Sequence, residues 1–342
     1  MYIIHTNTHN RYIYTCRPYD DLECKKLSYT FTTLDIELKP GLNYNSLQKG
    51  GFYVTHQKNA ICHLFSDKHI KIVIIPPDAK IRRDFLFIRT DKIILTDYKY
   101  SLFAINTIIK FNIDVNEPYY IDTLSLYGKL HILEWLKNII IISELKYTEQ
   151  AMDNVSSSSS GCGYVEVLEW WKNSGLPLKY SKNALDYASC NGYVNVLEWW
   201  KNSGLPLKYS IDALNLASKY GHVAVLEWWK NSRLELKYNE MAIDLACSYG
   251  HIKVLDWWFN SGLELKYNEN ALHSAIRFGD INLVKWWVNS GLELKYLPSL
   301  FDEACIFRNT NILHFLKKVG LQVKLSDWVI YFVSKKELEG LL

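Results

Sequence analysis

Charge of one sign is what this sequence most plainly lacks: 39 Lys+Arg stand against 36 Asp+Glu, a net charge of +3 over 342 residues. That excludes nucleic-acid binding by bulk positive charge. Paired cysteines are missing too. Cys16, Cys24, Cys62, Cys162, Cys190, Cys247 and Cys305 occur singly, with no C-x-x-C, which fits reduced thiols in an intracellular protein better than a disulfide framework. Long apolar runs are absent, since Ile70–Ile75 and Ile139–Ile142 are too short to span a bilayer. The first six residues carry no basic stretch leading into a long apolar segment, so no secretory signal is expected. The expectation is a soluble protein of the cytoplasm, with the nucleus left open, and not a secreted one. G-x-x-x-x-G-K-[ST], G-x-G-x-x-G, H-E-x-x-H and G-x-S-x-G do not occur. With 49% hydrophobic and 22% charged residues the chain is not a disordered tail. Tryptophan is missing from the first 134 residues, yet the chain contains 12.

Those tryptophans are periodic. Trp-Trp pairs begin at Trp170, Trp199, Trp228, Trp257 and Trp286, a step of 29 residues. Gly192, Gly221, Gly250 and Gly279 each stand seven residues before a pair, and Ala188, Ala217, Ala246 and Ala275 eleven before. The unit reads N-A-L-D-x-A-S-x-x-G-H-V-x-V-L-E-W-W-K-N-S-G-L-E-L-K-Y, and a fixed period of this size signals stacked repeats. A degenerate copy precedes the set at Gly128 and Trp135, and another follows at Ala304 and Phe315. The first is separated by six extra residues, four of them in the serine run 156–160, read as a flexible bulge. Each unit predicts two short helices. One covers 183–190 with Ala184, Leu185 and Ala188 inward, and Gly192 breaks it. The other covers 194–202 with Val196, Leu197, Trp199 and Trp200 on a broad apolar face. One such hairpin cannot bury its own face, so neighbours must.

Residues 1–98 read differently. Short β-branched or aromatic runs at 2–4, 11–15, 51–55, 70–75, 85–88 and 93–95 lie between Pro, Gly, Asn and Asp breaks and predict strands. The fold expected is α+β overall: a small strand-rich domain over 1–98, then an all-α solenoid of helix-pair repeats. Residues 99–118 form a partial capping repeat with a helix over 102–111, residues 119–325 hold seven repeats, and 326–342 a capping helix.

The pattern A-L-D-x-A-S-x-x-G-H-V-x-V-L-E-W-W-K-N-S-G-L-E-L resembles the ankyrin repeat. The double-Trp form, with Gly50-Gly51-Phe52-Tyr53-Val54-Thr55 and Ile75-Pro76-Pro77-Asp78-Ala79, is similar to ankyrin-repeat proteins of giant amoeba viruses. Ankyrin units run 33 residues. Aligning the helices puts the four missing residues in the return between Leu205 and Ala213, where the family forms its projecting hairpin fingers. The resemblance therefore implies helix pairs with trimmed fingers, and a partner bound along the concave side.

Candidate chemistry is thin. The Trp pairs match buried leucines of the family's second helix and are expected in the core, both facing inward, rather than as a stacking platform. His222 and His251 lack a second Cys or His ligand at i+3 or i+4, so no metal site is expected. Cys62 beside His63, or His5 with His9, is weak evidence for a nucleophile, and Lys80, Arg82 and Arg83 read as a solvated loop. No catalytic residue, cofactor or metal is expected. What varies between repeats is a row at Asp186, Asn215, Asp244 and His273. A second row holds Asn191, Tyr220, Tyr249 and Phe278, with Lys219, Ser248 and Arg277 beside it. By the resemblance these eleven positions face a partner. The expected function is a non-enzymatic scaffold binding a protein, with no nucleic acid or membrane, acting on host proteins if viral. An adaptor to a ubiquitin ligase, or an active site within 1–98 near Cys62, His63 and Asp67, are the alternatives.

Overall fold

The computed structural model describes residues 12–14, 41–44, 52–56, 69–83, 88–140, 144–157, 163–321 and 325–332. The chain divides into two compact units, Met1–Ala151 with Glu169–Lys179, and Met152–Leu168 with Tyr180–Leu342.

In the first unit the described strands are β1 (Tyr12–Tyr14), β2 (Gly41–Tyr44), β3 (Phe52–His56), β4 (His69–Ile74), β5 (Ile81–Arg83), β6 (Ile88–Thr90) and β7 (Lys92–Ser101). They pair antiparallel in the order β2-β7-β4-β1-β3-β6-β5. The expected strands at 2–4 and 85–87 lie outside the described residues. Two strands were not anticipated. β2 begins on a glycine and carries an asparagine, and β5 occupies the basic cluster expected as a loop. Each is an edge strand whose backbone is satisfied by one neighbour, β7 or β6, so pairing overrides local composition. The β6–β7 corner is closed by buried Asp91, whose carboxylate accepts the Lys80 N–H at 2.8 Å. After β7 comes α1 (Ile105–Phe111), which ends on Asn112 in the left-handed region at φ 45°. It starts later than the expected 102 because β7 runs to Ser101. A helix pair follows, α2 (Pro118–Leu126) and α3 (Leu130–Ile139). The fully buried Tyr120 donates its hydroxyl to the Leu102 carbonyl at 2.8 Å.

Helix pairs continue along the chain. A short α4 (Gln150–Asp153) with a 3-10 turn (Asn154–Ser156) precedes α5 (Val165–Asn173). In the second unit come α6 (Asn183–Cys190) and α7 (Val194–Asn202), then α8 (Asp212–Lys219) and α9 (Val223–Asn231). The next pairs are α10 (Met241–Ser248) and α11 (Ile252–Asn260), and α12 (Glu269–Phe278) and α13 (Ile281–Asn289). The last is α14 (Leu300–Ile306) with α15 (Thr310–Lys318), followed by α16 (Asp327–Phe332). The first helices α6, α8, α10, α12 and α14 pack on one another in order, and each packs on its own second helix. Both helices of the 183–202 unit fall where periodicity put them. Ser156, expected in a loose bulge, is instead buried at the end of its turn.

The tryptophan pairs split their duties. The second member is core: Trp200 and Trp229 are 0% exposed and Trp258 1%. The Nε1 of Trp229 reaches back to Ser189 Oγ on the first helix of the preceding repeat at 2.9 Å, and that of Trp258 to Ser218 Oγ at 3.0 Å, whereas Trp200 Nε1 is buried without a partner. The first unit repeats the bond from Trp171 to Ser125 Oγ at 3.0 Å. The first member is only half-buried, which corrects the expectation that both face inward. Adjacent helical residues point about 100° apart, and the neighbouring helices cover one of those directions fully and the other in part. Each outer indole stands edge-on to its partner, 5.1 Å between centroids for Trp228 and Trp229. Its Nε1 donates to a carboxylate on the preceding second helix, Trp228 to Glu198 and Trp257 to Glu227, both at 2.7 Å. Those bonds hold Glu198 and Glu227 below the usual glutamate pKa.

The return segments carry no strand among the described residues. They are tied instead through Leu-x-Leu-Lys-Tyr. Tyr209 packs on Trp229 at 4.7 Å between centroids and donates its hydroxyl to the Glu235 carbonyl at 3.0 Å. Lys237 of that next return lies over the Tyr209 ring at 4.6 Å. The same three-part contact recurs at Tyr147/Trp171/Lys179 in the first unit, and at Tyr180/Trp200/Lys208, Tyr238/Trp258/Lys266 and Tyr267/Trp287/Lys295 in the second.

Removing the inner indole therefore empties a sealed site, whereas removing the outer one uncovers an edge. Trp229→Ala is expected to cost about 3–5 kcal/mol, and Trp228→Ala about 1 kcal/mol. Urea denaturation of the two variants checks this; equal losses would show that both rings are core.

Candidate partner-binding surface

The eleven residues singled out by their variation separate into two groups with different surroundings. Asp186, Asn215, Asp244 and His273 lie on the first helices, one per repeat, beneath the return segment that leads into the next repeat. Asp186 is 2% exposed and accepts both the Ser210 N–H at 2.9 Å and the Ser210 hydroxyl at 2.6 Å. Asn215 donates its side-chain amide to Asn239 Oδ1 at 2.7 Å. His273 Nε2 accepts the Leu297 N–H at 3.1 Å, while its Nδ1 stands 3.2 Å from Glu303. Asp122 with Thr148 in the first unit, and Asp153 with Ser181 and Asp302 with Ser326 in the second, make the equivalent bond. Asp186, Asn215 and His273 are buried, and the row is turned to the return segments, which it ties to the preceding helix. The physical reason is the missing finger: a shortened return needs backbone N–H partners, and a short acceptor on the helix supplies them.

The histidines after the repeat glycines are also internal. The His222 ring lies over Gly192, whose φ is +79°, and a Cβ there would stand 2.8 Å from His222 Nδ1. Burial pushes the His222 pKa below its ordinary value, and its bond to the Cys190 backbone only partly opposes that. His251 lies over Gly221 in the same way. Among the described residues no group of three His, Cys, Asp or Glu could hold a metal ion. Residues His5, His9, Cys62, His63 and Asp67 lie outside the described residues. Lys80 and Arg82 are exposed, Arg82 on the edge strand β5.

The second group is different. Tyr220, Tyr249 and Phe278 occupy one position, at the end of successive first helices, and are 45%, 47% and 56% exposed. Phe307 continues the row at 47%. It was missed because Arg308 stands where the repeat glycine should be, although Phe307 follows Phe278 by one period. The Tyr220 and Tyr249 rings are 6.3 Å apart, and the Lys219 ammonium lies 4.9 Å and 5.0 Å from their centroids. Arg277 lies over Phe307 at 5.9 Å and pairs with Glu303 at 3.3 Å. Asn191, at the same position one repeat earlier, caps locally by donating to the Tyr187 and Ser156 carbonyls at 2.8 Å and 3.1 Å. Ser248 bonds its own helix at the Asp244 carbonyl. Exposed aromatics with a polar border are what protein interfaces are made of.

A model of ankyrin repeats in many copies matches residues 243–286, which span α10 to α13 and so one complete period of this architecture. That stretch of the chain is made of ankyrin repeats. The chain is also similar to a curated relative, protein L696 of Acanthamoeba polyphaga mimivirus, at 35% identity over 77 residues, 22% of each chain. This chain thus spans about a fifth of the length of the relative it matches. Among solved structures, the human ASB11 ankyrin repeat domain is similar over 55% of this chain and 96% of its own, at 15% identity and a TM-score of 0.38. The pentatricopeptide repeat protein PPR10, solved with an RNA element, is similar over 66% of this chain and 38% of its own, at 12% identity and a TM-score of 0.27. Among the described residues no helix is long and apolar enough to cross a membrane.

Within the array two of these locks leave a buried oxygen without a partner, Asn215 Oδ1 and Asp244 Oδ1, and only the second belongs to a carboxylate. Asp partners hydroxyl residues at 122, 153, 186 and 302, and Asn215 partners Asn239, but Asp244 faces Asn268. Asn268 Oδ1 is already turned to its own helix, accepting the Asn270 N–H at 2.8 Å, and Asp244 Oδ1 is buried without a partner. Burial raises the Asp244 pKa to about 6, against smaller opposing bonds from Asn268. A carboxyl whose pKa is raised by folding favours the native state when protonated, so ionising it removes stability as pH rises from near 4 through about 6. Asp244→Asn can repeat the Asn215–Asn239 bond. It is expected to stabilise the protein by about 1 kcal/mol at pH 7.5, with the gain vanishing near pH 4. Melting temperatures across that range check it; a gain independent of pH would contradict the assignment.

Proposed function

We propose that this ankyrin-repeat protein is a non-enzymatic scaffold that binds a partner protein along the ends of its first helices, centred on Tyr220, Tyr249, Phe278 and Phe307. The observation that carries this reading is the contrast between two aromatic sets. Each inner indole is sealed and each return tyrosine is packed on it, while four aromatics at one repeat position are left about half exposed. Leaving large rings in water at a fixed pitch costs solubility without adding to the core, unless something covers them. Ankyrin repeats bind protein partners in general, and rigid repeats present side chains with little ordering cost on association. Lys219, Ser248, Arg277 and Asn191 border the row. Asp186, Asn215, Asp244 and His273 act indirectly, by holding the returns that keep the repeats in register. The similarity to a mimivirus protein supports a viral protein that acts on a host protein in the host cytoplasm.

The test is comparative capture. The full chain and its Tyr220→Ala/Tyr249→Ala/Phe278→Ala variant are used as bait in amoebal extract, with captured proteins quantified by mass spectrometry. The variant is expected to lose the specific set by tenfold or more while melting within a few degrees of the parent. Unchanged capture with unchanged melting would overturn the proposal.

A further inference from the structure

We infer that the partner places a carboxylate side chain over Lys219, between the rings of Tyr220 and Tyr249, and seats bulky apolar side chains on Phe278 and Phe307. This inference rests on the interface proposed above and specifies what fills it. Its basis is how the charges near the aromatic row are already used. Arg277 is neutralised by Glu303 at 3.3 Å, and Glu303 is shared with His273 at 3.2 Å. Lys182 faces Asp212 at 3.7 Å. The Asp186 carboxylate is consumed by Ser210, and Asp244 is turned beneath Asn268. The exposed Arg308 beside Phe307 is one exception, and Lys219 is the other. Among the described residues it makes no ion pair, and its ammonium is held over two aromatic faces instead.

That placement suits an anionic visitor. The rings fix the ammonium and exclude water from part of it, so an arriving carboxylate meets a positioned cation at small entropic cost. A cationic side chain at the same step meets repulsion with no local acid to relieve it, which gives specificity as well as attraction. The row is also directional. Its ring-held charge lies at the Tyr220–Tyr249 step, and one and two repeats beyond Tyr249 stand Phe278 and Phe307, with Ile306, at 56%, 47% and 49% exposure, where Arg277 is already neutralised by Glu303. A segment with an acidic side chain at one end and aromatic or aliphatic anchors at the other matches this order.

A library of random linear peptides displayed on phage supplies the probe. It is selected in parallel on the full chain, on Lys219→Glu, and on Tyr220→Ala/Tyr249→Ala. Peptides from the parent are expected to combine Asp or Glu with Phe, Trp or Leu, and those from Lys219→Glu to carry Lys or Arg in place of the acid. A synthetic parent-selected peptide should bind at least tenfold more weakly to Lys219→Glu and to Lys219→Gln, with melting curves unchanged and with affinity falling as salt is added. Enriched peptides that need Tyr220 and Tyr249 but lack an acid, or ignore Lys219→Glu and Lys219→Gln, overturn the carboxylate anchor and leave the interface standing. Enrichment of no peptide that depends on Tyr220 and Tyr249 overturns the interface and the anchor with it.

Discussion

Where its donor is bonded, as in four of the five pairs, the second tryptophan is held from three directions at once, and the rest of the architecture follows from keeping it there. In the second unit, Trp229 has its Nε1 on Ser189 of the preceding first helix, its face on Tyr209 from the preceding return, and its edge on Trp228. The side chain is large and carries one donor, so it is favourable in a core only when that donor is bonded. Ser125, Ser189 and Ser218 supply that partner to Trp171, Trp229 and Trp258, and Cys247 supplies it to Trp287, while Trp200 Nε1 is buried without one; the tyrosine recurs with each of these rings, and the helices keep a constant offset. A repeat that drifted would lose all three contacts together.

The shortened repeat sharpens this constraint. With no finger to pair its own backbone, each return is fastened from outside. A carboxylate on the preceding first helix accepts its N–H or, at Asn215, an amide donates to its asparagine side chain; a tyrosine hydroxyl donates to its carbonyl, and a lysine crosses back over the tyrosine ring. Single cation–π contacts of this kind are weak, of order 0.5–1 kcal/mol. Their recurrence at five successive returns makes them register marks as much as stabilisers. One consequence bears on function: with the returns tied down, the ends of the first helices expose large aromatic side chains in a row at the repeat pitch.

How far this was legible depends on what each residue answers to. The helices of the 183–202 unit could be placed because their apolar spacing and terminating glycines are local and are repeated five times. The strands β2 and β5 could not, since a glycine start and a basic cluster carry no strand signal, and only a neighbouring strand makes them regular. The two variable rows looked alike as letters. Asp186 and Asn215 change because their partners Ser210 and Asn239 change with them, 24 residues away. Tyr220, Tyr249 and Phe278 change within an aromatic type at an exposed position. Covariation of a buried pair and freedom of a surface residue give the same appearance in a single sequence.

The sequence alone determined the period, the helix pair, the glycine-terminated first helix and the shortened return, because each is written in near-neighbour spacing. It also placed a tryptophan pair in each of five second helices, though not the division of labour within a pair. Tertiary structure decided that one indole is core and the other an acid-capped edge, that the Asp/Asn/His row fastens loops, and that Lys219 stands between two rings without an ion pair. Those outcomes depend on which side chain from the adjacent repeat arrives within hydrogen-bonding distance, and that is set by packing between repeats rather than by any pattern within one.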